Sequence, residues 1–171
     1  TTAQINQGLT TAQVAALETQ DVAVLTTAGV AALTTPQVAQ GLSTAQVVAL
    51  TTAQVNLGLT TSQVEALNTA QAAALTTAQV AQGLSTAQVA VLETRDLAAL
   101  STAQIAALST AQVALGLTNN QIAQGLSTSQ VAALKTANIA ALTTGQVDAM
   151  TTAQLADGLT TTQVGALTTD G

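Results

Sequence analysis

Leu42-Ser43-Thr44-Ala45-Gln46-Val47-Val48-Ala49 is an eight-residue unit, and variants of it eight or nine residues long fill the chain. From Leu9 to Leu167 a leucine recurs every eight or nine residues, with Met150 as the one replacement. A fixed short period of this kind is the signature of a solenoid or array. No linker interrupts it, so residues 1–171 read as a single continuous array of about 20 units. The nine-residue units carry a glycine immediately before the leucine, at Gly8, Gly41, Gly58, Gly83, Gly116, Gly125 and Gly158. A higher-order copy overlies the short one: Thr1 to Gly41 matches Thr76 to Gly116 in phase, as if blocks of nine units had been duplicated. The chain begins at Thr1 in mid-repeat and ends at Gly171 in a partial unit, which suggests a piece of a longer array.

The slots after each leucine predict local structure. The first is mostly Thr or Ser but also admits Glu18, Asn68, Glu93 and Lys135, as a solvated position would. The second is Thr except at Asn119. Thr and Asn share a side-chain oxygen that can accept from an unpaired backbone N–H, so this slot reads as the helix N-cap. The third is usually Ala and once Pro36, as the first helical position allows, because it needs no N–H and wants φ near −65°. The fourth is Gln in most units, with Asp21, Asp96, Asn138 and Gly29 as exceptions, and the fifth is Val, Ile or Leu except at Ala72. Each unit is therefore expected to be a short helix spanning Ala-Gln-Val-Ala-Ala, with the longer units ending in a Schellman turn that has Gly at C′ and Leu at C″.

Two other folds compete. A single continuous helix would rotate the Leu/Val face by about 110° per unit, leaving no apolar stripe. A β-solenoid is the stronger alternative, since Thr and Val favour strands. Leu and Val stand five apart across the unit, however, so strict alternation would send them to opposite faces, and Ala, Gln and Leu prefer helix. The expected class is all-α, a solenoid of very short helices. Helices this short are unstable alone, so stability must come from stacking. Two units per superhelical turn, giving about 17 residues, is the expected coil, with three units and about 25 residues as the alternative.

Composition limits what such an array can do. Hydrophobic residues make up 48% of the chain but none is aromatic, so the core must be thin and spread along the array. Eight acids against Arg95 and Lys135 give a net charge of −6, with no charged residue between Asp21 and Glu65. Two isolated cations cannot displace counterions from nucleic-acid phosphates or dock on anionic lipid. Thr-Thr and Gln break every apolar run far short of the ~20 residues of a membrane span. Without His or Cys there is no thiol chemistry, no zinc or iron ligand set, and no base beside any Ser or Thr nucleophile. No catalytic residue, metal ligand or cofactor site is assigned, and the chain is not expected to be an enzyme.

Three polar features remain. The glutamine column, including Gln13, Gln46 and Gln79, could form amide ladders along the solenoid or could solvate free backbone groups at helix starts. The threonine columns resemble the surface of several antifreeze proteins in repetition and low charge, although a strand-type Thr-x-Thr motif is missing. The pairs Glu18/Asp21 and Glu93/Asp96 supply too few oxygens for calcium by themselves, and favourable charge at a helix first turn accounts for them.

With L-[ST]-T-A-Q-V-A-A as its motif over all 171 residues, the chain resembles the repeat (stalk or fibre) regions of large bacterial secreted or surface proteins. The resemblance implies a structural or adhesive role outside the cell. A nearly uncharged Thr/Ala/Gln surface permits close contact between copies. The expectation is a non-enzymatic extracellular filament or adhesin shaft that self-associates, with an ice-binding or polysaccharide-binding solenoid as the alternative.

Overall fold

The computed structural model describes residues 8–167; the beginning and end of the sequence read above, residues 1–7 and 168–171, lie outside them. Among the described residues the secondary structure is entirely helical, in pieces of four to six residues such as Thr44–Ala49 and Thr161–Val164. The all-α class holds and the β-solenoid does not. The chain forms two compact units, Thr1–Leu84 and Ser85–Gly171.

Each short helix starts at a cap that lies one residue earlier than the sequence suggests. Ser43 has extended backbone (φ −74°, ψ 162°), and its hydroxyl accepts from the Gln46 N–H at 3.2 Å. Thr10, Thr60, Ser85 and Ser127 do the same for the glutamine three residues on, and Asn68 does so through its amide Oδ1. The first slot is thus the N-cap and the second-slot Thr is the first helical residue. Asn119, which favoured the second slot, occupies this first helical position, while Thr118 caps its unit by accepting from the Gln121 N–H at 3.2 Å. Pro36 moves with the frame to the second helical position, at φ −63°, where its missing N–H is equally harmless because none of the first-turn donors has an intrahelical acceptor. The first slot tolerates Glu93 and Lys135, which make no side-chain cap bond, because stacking carries these helices.

Eight- and nine-residue units differ inside the helix and not in the turn. In an eight-residue unit the helix tightens at its end, with the Leu50 N–H donating to Val47 O at 3.2 Å. In a nine-residue unit the extra residue widens the last turn into a π-helix, Gln54–Gly58, closed by the Leu59 N–H donating to Gln54 O at 2.9 Å. Both deliver leucine to the core. The expected Schellman ending is absent: no described glycine has positive φ. Glycine is there because of what lies against it. A Cβ on Gly41 would stand 3.1 Å from Thr11 O and from Val14 Cβ, and one on Gly83 would stand 3.1 Å from Val55 Cβ.

These approaches fix the coil. Gly41 lies on the unit of Val14 and Gly83 on the unit of Val55, three units back in each case. Helix stacking agrees: within the first compact unit Thr19–Ala23 packs on Thr44–Ala49 and Gln54–Gly58 on Gln79–Gly83, and within the second Thr102–Ala107 packs on Thr128–Ala133. A coil therefore holds three helices and about 25 residues, where two helices were expected. The third helix lets Val and Leu from every unit of a coil face one interior: Val47, Leu50, Val55, Leu59 and Val64 are all at most 4% exposed. Burying each such side chain contributes about 1.5–3 kcal/mol, which replaces what an aromatic core would supply.

Candidate functional site

The chemistry of this chain is concentrated in the fourth slot. Among the described residues, every buried polar or charged side chain stands there, from Gln37 to Gln163. A buried amide must satisfy one acceptor and two donors, and each glutamine does so in two directions.

The first direction is local. Gln46 Oε1 accepts from the Ser43 N–H at 2.7 Å while the Ser43 hydroxyl accepts from the Gln46 N–H, a reciprocal capping box. The Thr51/Gln54, Thr76/Gln79 and Thr151/Gln154 pairs repeat it.

The second direction crosses to the preceding coil. Gln46 Nε2 donates to Val14 O at 2.9 Å and Leu17 O at 2.7 Å. Gln54 reaches Val22 O and Leu25 O, both at 2.8 Å; Gln79 reaches Val47 O at 2.8 Å and Leu50 O at 2.7 Å. In the second unit Gln121 binds Val89 O at 2.8 Å and Leu92 O at 2.7 Å, and Gln154 binds Ile122 O at 2.7 Å and Leu126 O at 2.6 Å. The acceptors lie at a helix C-terminus, whose last carbonyls lack the usual N–H four residues on; Val14 O, Val22 O, Val47 O and Val89 O take only a 3.2 Å bond from the leucine three residues on and use their second lone pair for the amide. One amide thus closes the start of its own helix and the end of a helix in the coil below.

This arrangement corrects the amide-ladder expectation. The Nε2 atoms donate to backbone carbonyls and not to one another, and the fourth-slot glutamines from Gln37 onward are buried, not solvating. Gln13, in the first described coil, makes the same local box but is exposed, so burial follows from having a coil beneath.

The exceptions test the reading. Asn138 is shorter by one methylene, and its Nδ2 donates to Leu108 O at 3.0 Å, the leucine half of the usual pair. Gly29 keeps the cap, its N–H donating to Thr26 Oγ1 at 3.0 Å, and has no side chain to clamp with. The two acidic exceptions differ from each other. Asp21 is exposed and accepts from the Glu18 N–H at 3.3 Å. Asp96 is fully buried, with Arg95 Nε 3.6 Å from its Oδ1 and 2.8 Å from Glu93 Oε2. Both pairs occupy a cap and the third helical position, as the dipole argument expects.

Outside the fourth slot the described surface is mostly Thr, Ser, Ala and unclamped Gln, with a few charged residues such as Glu65, Lys135 and Asp148 and with Val24, Val48, Leu57, Leu115, Leu155 and Val164 as exposed apolar residues. The first-slot hydroxyls are engaged as caps although most of these residues are exposed, and the second-slot threonines are exposed or half-buried with no capping role. No described helix is long and apolar enough to cross a membrane.

A family model described as the ALTTAQ repeat matches residues 14–52, 89–124 and 124–157, which is more than half of the chain, and the chain belongs to that family. No curated protein and no solved structure matches it.

Proposed function

We propose that this ALTTAQ repeat protein is a non-enzymatic structural element, the shaft of an extracellular filament or adhesin, whose copies associate laterally or end to end. The observation that supports it is the use made of polar side chains: among the described residues the buried ones sit in a single slot, and the glutamines among them join coil to coil. The extracellular setting rests on the resemblance to bacterial secreted repeat regions, and self-association on a surface with few charges to keep copies apart.

Electron microscopy of the purified chain at rising concentration tests the association. Filaments or bundles are expected. Dispersed single particles at high concentration would reject self-association, and thermal hysteresis with ice shaping would instead give the threonine columns a ligand. Antibody labelling of intact against permeabilised source cells tests location, with labelling of intact cells expected.

A further inference from the structure

We infer that each compact unit is an extensible element, which under tension between its ends yields one coil at a time and restacks when the tension falls. The use of this property rests on the structural role proposed above; the mechanics do not.

The inference follows from how far the cross-coil bonds reach. Those of Gln46, Gln54, Gln63, Gln71 and Gln79 span 29 to 33 residues, joining a coil only to the one before it. In the second unit those of Gln121, Gln130 and Gln154 span 28 to 33. An interior coil therefore has two interfaces and an end coil one, so pulled ends release end coils first. No disulfide can tie distant coils, because the chain has no cysteine.

The clamps are also loaded in succession. Gln46, Gln54 and Gln63 belong to consecutive helices eight or nine residues apart, so peeling a coil breaks one amide clamp and then the next. Once peeled, helices of four to six residues lose the stacking that held them and become extended chain. Restacking needs only local contacts with a neighbour that is still folded, which is a rapid kind of folding step. A coil of about 25 residues at ~3.5 Å per residue stretches to roughly 85 Å. It occupied about 10 Å of stacking height, leaving a gain near 75 Å.

Optical-trap stretching of the 171-residue chain, held by its two ends, reads this directly. The expected record is a ladder of reversible steps of roughly 75 Å, about three for each compact unit. A single rip releasing a whole unit at once would overturn the inference. The Gln63→Met variant should lower the force of one step and leave every step length unchanged; an equal loss of force in all steps, or in none, would also overturn it. Failure of the filament role in microscopy leaves the stepping record unchanged, so the two failures are separable.

Discussion

Replacing Gln71 by Met keeps the volume of the side chain and removes all of its side-chain hydrogen bonds. Gln71 is 1% exposed; its Oε1 accepts from the Asn68 N–H at 2.9 Å, and its Nε2 donates to Val38 O at 2.8 Å and Leu42 O at 2.6 Å. Asn68 is exposed and its N–H regains water, so the loss falls on the two carbonyls. At about 1–3 kcal/mol for each buried group left unsatisfied, the variant should lose about 3 kcal/mol. A unit of this size has roughly 4–13 kcal/mol in total, so one clamp is a large share of it. In thermal melts followed by circular dichroism the expected fall in Tm is about 12–24 °C for a cooperative unit of this length. Gln71→Glu should be worse, because it keeps the acceptor but sets an unpaired charge against two carbonyls. Gln82→Met, at an exposed glutamine, is the control and should move stability by less than about 0.5 kcal/mol. If Gln71→Met falls within about 1 kcal/mol of that control, the clamp does not hold the coils and the reasoning fails.

Three further outcomes follow from the geometry. Ser43→Ala should cost about 1 kcal/mol in urea unfolding while Thr44→Ala costs little, because the cap is the first slot; the opposite order would restore the second-slot assignment. Gly41→Ala should cost about 1–3 kcal/mol through contact with Thr11 O and Val14, whereas Gly165→Ala, whose Cβ meets nothing nearer than 3.6 Å, should be neutral or stabilising in the same melts. Asn138→Gln should raise stability by about 1 kcal/mol in urea unfolding, the added methylene bringing a second carbonyl into reach beside Leu108 O.

Much of the fold is legible in the chain because its cause is local. The spacing of Leu9, Leu17 and their successors gives the unit, and the five-residue separation of Leu and Val argues against a strand. The cap was misplaced by one residue because Thr fills both candidate slots, and the exceptions at Asn119 and Pro36 fit a first-turn position as well as a cap. The clamp had no readable partner. Gln46 binds carbonyls of Val14 and Leu17, and a carbonyl is common to every residue, so nothing in the sequence at that distance marks it. The glycines were legible as special positions, but their reason lies in Val14 or Val55 pressing from three units away, which requires the coil size to be known. That size could not be read, since units of eight or nine stack in phase at two or at three per turn.

Three units per coil is the claim on which clamp, glycine and extensibility all depend, and engineered disulfides test it without background because the chain has no cysteine. A Cβ on Gly158 would stand 3.3 Å from Val131 Cβ, close to the ~3.5–4.5 Å of a disulfide. Ile139 holds the same slot two units before Gly158. Under mild oxidation the Val131→Cys/Gly158→Cys variant should cross-link within the chain and run faster on a non-reducing gel, while Ile139→Cys/Gly158→Cys stays open. Cross-linking of the second pair and not the first would contradict the three-helix coil.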